Sequence, residues 1–321
     1  MKLAAEMLRF FWPINARRDA SGKNLYPHSL IDFIRHHQLV GQDSREAERV
    51  AYALVRESLL TPQQHNGEFW GQTYWSMYSP ADWEFEYGTY EFLTRGFLFI
   101  RSHFENSILP LFVQTEDGDQ TNGTAFVISK NHLLTAYHCV DQSRSVRIPN
   151  VDIGLLKSIK APSDQKKDIA LLTFEGDPLP HRNPFRIGVA SILDQVMVTG
   201  YPRITGFAPV LVAEEASIAG YLQSTTGQVI AEATSYLDKQ NYLLISARVK
   251  GGNSGGPVIN RKGEVVGLIT GDLETSGKAD WLGFAAAIPS NEILSCLKEV
   301  ELDSADVRDL KFQVENDRIY F

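Results

Sequence analysis

Three polar residues, far apart in the sequence, have the side chains needed to cleave an amide bond. His138 follows the apolar run LLTAY, Asp168 opens the run DIALLTF, and Ser254 stands in the glycine-rich stretch GGNSGGP. Amide hydrolysis without a metal needs a nucleophile, a base for its proton, and an acidic group that orients the base. A hydroxyl, an imidazole and a carboxylate fill these roles, so the sequence predicts a Ser–His–Asp triad.

Each of these stretches also has a structural explanation when it is taken alone. A histidine beside a cysteine is more often structural than catalytic, DIALL is typical of a buried strand, and GNSGGP can form an ordinary turn. The catalytic interpretation therefore depends on the three stretches occurring together and in this order.

The glycines around Ser254 indicate how the fourth requirement, stabilisation of the oxyanion, is met. Glycine tolerates backbone conformations and close approaches that side chains exclude. Without a side chain, Gly252 leaves its N–H free to point to the same place as the N–H of Ser254. Two such donors form an oxyanion hole. Gly255, Gly256 and Pro257 would then lead the chain beneath the site into a strand.

The composition along the chain predicts two regions and a short tail. Residues 1–105 contain four of the five tryptophans, and helical periodicity predicts helices over 29–40 and 43–60. Asp43 and Glu46 form a capping-box pattern at the start of the second helix. The segment 63–88 is predicted to be a loop, and Phe97 to Ile100 a strand.

From residue 106 to 300 the sequence consists of short apolar runs separated by Gly, Pro, Asn and Asp. Many short strands with turns between them indicate an all-β barrel or sandwich. The segment 290–300 is predicted to be a closing helix with Ser290 or Asn291 as its cap. Residues 301–321 are interpreted as a polar, mildly acidic tail.

The motifs TAYHC, DIALL and GNSGGP resemble those of the trypsin-like serine proteases over about residues 106–300. Their separations are similar to those of compact bacterial members, and GFAAAIPSN resembles a motif of the HtrA-like branch, here without a PDZ module. The resemblance implies the chymotrypsin fold of two six-stranded β-barrels, with no cofactor and no metal. It implies His138 as general base, Asp168 as its orienting acid, Ser254 as nucleophile, and the N–H groups of Gly252 and Ser254 as oxyanion donors.

The same resemblance suggests where the substrate side chain binds. Arg248 would lie at the floor of the pocket, where it either pairs with an acidic substrate side chain or turns outward to solvent. The predicted pocket residues are Arg248, Val249, Lys250, Thr270, Gly271, Asp272 and Gly283.

Asn253 bears on how the enzyme is controlled. In the animal digestive branch an aspartate precedes the serine, and it is buried against an amine released by proteolytic cutting. Asn253 carries no charge and needs no such partner. We therefore expect no maturation by cleavage before the catalytic domain, and residues 1–105 to be a permanent regulatory or docking domain.

The stretches SLIDFIRHHQL, SREAERVAYALVRESLL and FLTRGFLFIRS resemble the DEP domain, a winged-helix-like module, over roughly residues 20–103. In that family such modules dock on anionic membranes or on partner proteins. An unrelated helical regulatory domain is the alternative. The start of the chain is likewise either a helix packed on its own domain or an amphipathic helix lying on a membrane.

Charge and cysteine content lead to expectations about partners and location. The formal net charge of −8 argues against a nucleic-acid partner. Glu6 and Arg9 interrupt the apolar start, which is therefore not interpreted as a signal peptide. The two cysteines, Cys139 and Cys296, make no disulfide framework. In the extracellular members of the family that the chain resembles, the cysteine beside the histidine forms a disulfide with a second cysteine. The position of that second cysteine falls near Gly123 in this sequence. We therefore expect Cys139 to be unpaired and the protein to be cytoplasmic.

The function that these features favour is a bacterial, intracellular, trypsin-like serine endopeptidase. Its substrate would be a protein or peptide, and its N-terminal domain would respond to a regulatory protein, a ligand or a membrane. The alternatives are a catalytically silent adaptor with a protease fold and a membrane- or partner-docking protein.

Overall fold

The computed structural model describes residues 2–321 except 64–70, 142, 165, 203–221, 237–238, 271–283 and 302–306. The chain divides into two compact units, Met1–Ile100 and Arg101–Phe321. The boundary lies five residues before the one expected from composition.

The first unit is mainly helical, with two short hairpins. Its elements are α1 (Leu3–Phe10), β1 (Arg17–Arg18), β2 (Leu25–Tyr26), α2 (Leu30–His36), α3 (Gln42–Arg56), β3 (Leu60–Pro62), β4 (Tyr74–Ser76), α4 (Asp82–Tyr87) and α5 (Thr89–Arg95). β1 pairs with β2 and β3 with β4, both antiparallel. The apolar faces of α1, α2 and α3 form one core with Phe11 and Tyr74.

The periodicity of α3 is confirmed, because Ala47, Val50, Ala51 and Leu54 are all buried. The capping box predicted for it is wrong. Gly41, with φ 58°, is the N-cap, two residues before Asp43, and a glycine has no side chain to form the box. A capping box does occur on α2, where Ser29 and Asp32 bond each other's backbone N–H.

Two other predictions in this region are wrong. Phe97 to Ile100 is part of α6 (Phe97–Phe104), not a strand, and Ile100 and Phe104, one turn apart, are both buried. A short apolar run without alternation does not distinguish the two states. The predicted loop 63–88 contains β4 and α4.

The second unit begins with a sheet and continues into a barrel. The sheet strands are β5 (Ile108–Thr115), β6 (Gln120–Ser129), β7 (His132–Thr135), β8 (Ser143–Arg147), β9 (Leu156–Pro162) and β10 (Ala170–Phe174), with α7 (His138–Asp141) after β7. The barrel strands are β11 (Gln195–Gly200), β12 (Gln223–Thr234), β13 (Asn241–Ile245), β14 (Pro257–Asn260), β15 (Val265–Ile269) and β16 (Ala285–Pro289).

The barrel closes in the order β11-β12-β13-β16-β15-β14 around a core of buried aliphatic side chains. The sheet has the order β9-β10-β7-β6-β5-β8, and among the described strands it is not closed on itself. The predicted all-β protease fold behind a helical region is thus confirmed, with one closed barrel and one half-barrel.

The segment interpreted as a tail is built into the half-barrel. After α8 (Ser290–Glu301) come β17 (Val307–Asp309), β18 (Gln313–Glu315) and β19 (Arg318–Tyr320). β17 pairs with β9 at one edge of the sheet, and β19 pairs with β8 at the other. The last residues therefore cover both edges, because unpaired strand N–H and C=O groups favour a partner strand.

We predict that the last strand contributes to the stability of the whole unit. Ile319 is fully buried on β19, whereas Val314 on β18 is 40% exposed. Ile319→Ala should lower the free energy of unfolding by about 3 kcal/mol, because it removes buried apolar surface and leaves a cavity. Val314→Ala should change it by less than about 0.5 kcal/mol. Equal values from chemical denaturation of the two variants would contradict this prediction.

Candidate active site

Pairing between β7 and β10 brings His138 and Asp168 together. Thr135, at the end of β7, lies opposite Ala170, at the start of β10. His138, which begins α7, therefore lies close to Asp168, two residues before the start of β10. The ring Nδ1 of His138 lies 2.7 Å from Oδ2 of Asp168, and the backbone N–H of His138 donates to Oδ1 at 2.8 Å.

A third donor completes the surroundings of this carboxylate. The Oγ1 hydroxyl of Thr270 donates to Oδ2 of Asp168 at 2.6 Å. Sequence reasoning assigned Thr270 only to the substrate pocket and missed this contact. The sequence around Thr270, which directly follows β15, does not indicate this hydrogen bond. The bond joins two residues that lie far apart in the chain, one beside the barrel and one beside the sheet.

The His138–Asp168 pair shifts the protonation of both groups. Burial disfavours the charged form of each, but their mutual hydrogen bonds and charges, together with Cys139 beside the ring and Thr270 beside the carboxylate, outweigh it. The pKa of Asp168 is therefore lowered and that of His138 raised. Because protonation is linked to folding, the pair stabilises the folded state fully at pH values between the unfolded-state pKa of Asp168 and the unfolded-state pKa of His138. This contribution is lost as pH falls through the lowered pKa of Asp168 or rises through the raised pKa of His138.

Ser254 follows a tight turn held by β6. The N–H of Asn253 donates to the carbonyl of Lys250 at 3.0 Å, and Gly252, at the third position, has φ 97°. A positive φ at that position is typical of a type II turn. Thr124 on β6 donates from its Oγ1 to the carbonyl of Gly252 at 2.7 Å and from its N–H to the carbonyl of Ser254 at 2.8 Å.

Two N–H groups of this turn are unoccupied. The N–H groups of Asn253, Gly255 and Gly256 each donate to a backbone carbonyl. Those of Gly252 and Ser254 donate to no acceptor among the described residues, although Gly252 is buried. Buried donors are nearly always satisfied, so this pair is available for a ligand oxygen.

The glycines after Ser254 are required by steric contact. Gly255 has φ 80°, and a Cβ there would lie 2.2 Å from the carbonyl oxygen of Thr124. A Cβ at Gly256 would lie 2.7 Å from the carbonyl oxygen of Thr199. The chain therefore passes between β6 and β11 with no room for side chains.

Cys139 lies between the histidine and the serine. Its Sγ is 3.7 Å from Nε2 of His138 and 3.8 Å from the carbonyl oxygen of Ser254. Within the described residues, no hydrogen bond joins Nε2 to the Ser254 hydroxyl. Cys139 and Cys296 are both free and buried, which confirms the expected unpaired state. A Cβ at Gly123 would lie 2.8 Å from the Cys139 sulfur, so this glycine makes room for the thiol.

The remaining predicted pocket residues are only partly described. Arg248 and Lys250 are exposed, and Val249 packs against the core of the closed barrel. The carbonyl of Arg248 accepts a hydrogen bond from Thr225 at 2.7 Å. Gly271, Asp272 and Gly283 lie outside the described residues. The substrate preference inferred from Arg248 therefore stays a prediction.

In the described part of the chain, no group of three or more His, Cys, Asp or Glu residues could hold a metal ion. Within the same residues, no helix is long and apolar enough to cross a membrane.

We predict that the turn tolerates a methyl group at Gly251 but not at Gly255. A Cβ at Gly251 meets nothing within 4 Å, whereas one at Gly255 overlaps the backbone of β6. Gly255→Ala should lower the free energy of unfolding by about 3 kcal/mol through overpacking and an unfavourable φ. Gly251→Ala should stay within about 0.5 kcal/mol of the unsubstituted protein in thermal or urea unfolding. Similar losses in both variants would show that the turn is not packed as described.

Comparison with known proteins supports the fold. Residues 123–268 match the family model of the trypsin-like peptidase domain. A probable periplasmic DegP-like serine endoprotease of Hahella chejuensis is 26% identical over 186 residues, which are 57% of this chain and 36% of the relative. The periplasmic pH-dependent serine endoprotease DegQ of Escherichia coli is 30% identical over 173 residues, 53% of this chain and 34% of the relative. The chain thus spans about a third of the length of these relatives.

A solved structure of a Mycobacterium tuberculosis protease in its active form has a TM-score of 0.49 and 22% identity, with 63% of this chain and 83% of that one covered.

The predicted cytoplasmic location is wrong on this comparison, because the matched DegP-like and DegQ relatives are periplasmic enzymes. The prediction relied on the charged residues Glu6 and Arg9 in the apolar start and on the small number of cysteines. Two separate, buried thiols do not report the redox state of a compartment, because oxidation requires access to the sulfur. The matched segment and the barrel architecture show a trypsin-like peptidase domain over residues 123–268, in a chain that is similar in sequence to the DegP-like serine endoproteases.

Proposed function

We propose that the protein is a serine endopeptidase that cleaves peptide bonds with Ser254, His138 and Asp168. The observation that carries the proposal is the Asp168 carboxylate, which is 15% exposed, accepts hydrogen bonds from His138 at both oxygens and accepts a further one from Thr270. Such an arrangement fixes the tautomer of the ring with its proton on Nδ1 and leaves Nε2 as a base.

Acylation would begin with attack of the Ser254 hydroxyl on the substrate carbonyl while its proton passes to Nε2 of His138. The Asp168 carboxylate stabilises the imidazolium that forms, and the ring then protonates the leaving amine. Water would release the acyl group by the same steps in the second half of the reaction. The Ser254 side chain has to approach Nε2 for this transfer, because in this structure Nε2 contacts Cys139 instead.

The negative charge on the tetrahedral intermediate would be held by the N–H groups of Gly252 and Ser254. Both donors are unoccupied among the described residues. The positive φ of Gly252 gives the Gly251–Gly252 peptide the orientation of a type II turn. Losing one donor of an oxyanion hole raises the barrier by about 3 kcal/mol.

The role of the N-terminal unit is part of the same proposal. It has its own hydrophobic core, and the residue before the serine is the uncharged Asn253, which is buried. A buried asparagine needs no amine released by cleavage. We therefore propose that this unit, which resembles a DEP domain in sequence, is a permanent regulatory or docking module.

A catalytically silent scaffold is the second candidate. It is favoured by one observation: no hydrogen bond joins the Ser254 hydroxyl to His138 within the described residues. Apo structures of active enzymes also show such loose geometry. The two candidates differ in whether Ser254 reacts.

Labelling with a fluorophosphonate tests the proposal, because this reagent phosphonylates an activated serine. The unsubstituted protein should be labelled to about one group per chain, and Ser254→Ala should not be labelled. Ser246→Ala is the matched control, since Ser246 is an exposed serine of the same unit. Equal labelling of Ser254→Ala would refute the assignment, and labelling of no protein would favour the silent scaffold.

The pH dependence of labelling should report the His138–Asp168 pair. The reaction needs a neutral ring, and Asp168 raises the pKa of His138. Asp168→Asn should therefore move the rise in labelling rate to lower pH, and the profile has to extend to about pH 12 because the pKa of His138 is raised to about 11. The maximum rate should fall by up to about 10⁴-fold, because the ring loses its orienting partner.

Asp164→Asn is the control for this profile, since Asp164 is an exposed carboxylate that lies, like Asp168, between β9 and β10. Its profile should match that of the unsubstituted protein. A midpoint that moves to higher pH in Asp168→Asn would contradict the assigned interaction.

A further inference from the structure

One charged side chain of the last strands reaches the segment that carries His138. The guanidinium carbon of Arg308, on β17, lies 4.3 Å from the ring centroid of Tyr137. Tyr137 is 5% exposed and immediately precedes His138. A residue near the end of the chain therefore contacts the neighbour of the proposed base.

The environment of this guanidinium is unusual. Its Nε and Nη2 atoms are buried and have no hydrogen-bond partner among the described residues. Buried polar nitrogens without partners are rare and need an explanation. A cation stacked on an aromatic ring is held more strongly when water is excluded. The Tyr137 ring is thus a contact that offsets the burial of these two nitrogens.

Tyr137 also determines the backbone on which His138 lies. Its carbonyl accepts hydrogen bonds from the N–H groups of Val140 and Asp141, both at 2.9 Å. These two bonds close α7, whose first residue is His138. A shift of Tyr137 would therefore turn α7 and move the His138 ring relative to Asp168.

The strand order connects Arg308 to the other member of the pair. Arg308 lies opposite Ala161 on β9, and β9 pairs with β10, which begins two residues after Asp168. Beside them, Lys167 forms an ion pair of 3.7 Å with Glu299 on α8. The C-terminal elements thus contact the neighbours of both His138 and Asp168.

We propose that Arg308 is a positioning residue for His138, acting through the ring of Tyr137. This inference rests on the proposed function, because it assigns a role in the geometry of the same site. Displacements of about 1 Å in catalytic groups reduce rates by up to about 10²-fold. Arg308 meets no substrate in this scheme and takes part in no proton transfer.

The test measures inactivation by the fluorophosphonate in four variants. It determines separately the maximal rate constant of inactivation, kinact, and the reagent concentration that gives half of that rate, KI. Arg308→Met keeps the aliphatic stem and removes the charge, and should lower kinact by about 10-fold with KI unchanged. Arg308→Lys restores a cation and should recover most of that loss. Tyr137→Leu should resemble Arg308→Met, whereas Tyr137→Phe, which keeps the ring, should resemble the unsubstituted protein.

Arg318→Ala is the matched control, because Arg318 lies on β19 at the opposite edge of the sheet. It should leave kinact unchanged. The double variant Arg308→Met with Tyr137→Leu should lose no more than either single variant, since both remove one contact. The proposal would be overturned if the losses of the two single variants multiplied in the double variant, or if Arg308→Met had the kinact of the unsubstituted protein.

A second measurement does not depend on activity. The backbone N–H of His138 donates to Asp168, and its hydrogen exchange reports how firmly α7 is held. Exchange at His138 should be faster in Arg308→Met and unchanged in Arg318→Ala. If the unsubstituted protein is not labelled, the proposed function fails while this comparison still tests the positioning role. Unchanged exchange in Arg308→Met would reject that role in either case.

Discussion

The Asp168 carboxylate is the charge around which the site is arranged. It receives a ring nitrogen and a backbone N–H from His138 and a hydroxyl from Thr270. A buried carboxylate is unfavourable unless it is paired and hydrogen-bonded. The strands that deliver these donors are therefore held together by the same interaction that would stabilise an imidazolium. Stability and proposed chemistry depend here on one set of hydrogen bonds.

The serine turn shows a second constraint, which is steric. Thr124 binds the carbonyls of Gly252 and Ser254, and Gly255 passes too close to β6 for any side chain. These contacts turn the carbonyl groups of Gly252 and Ser254 toward β6, and the N–H groups of the same two residues have no partner among the described residues. The donor pair therefore results from how the turn is packed against the neighbouring strand.

The half-barrel depends on residues that lie last in the chain. β17 and β19 cover its two edges, and Arg308 places a partly buried guanidinium group on Tyr137. The polar composition of 301–321 gave no sign of this role, because short edge strands have few apolar residues. The predicted strand at Phe97 to Ile100 failed for the related reason that a short apolar run suits a helix equally well.

By itself, the sequence determined the all-β class of residues 106–300, the helices α2 and α3, and the residue types of a serine hydrolase site, since these follow from local spacing and composition. Only the tertiary structure decided that Thr270 binds Asp168, that Cys139 contacts His138, and that the last strands complete the half-barrel. Each of these contacts joins residues distant in sequence. Their pairing depends on strand register and packing, which no local pattern encodes.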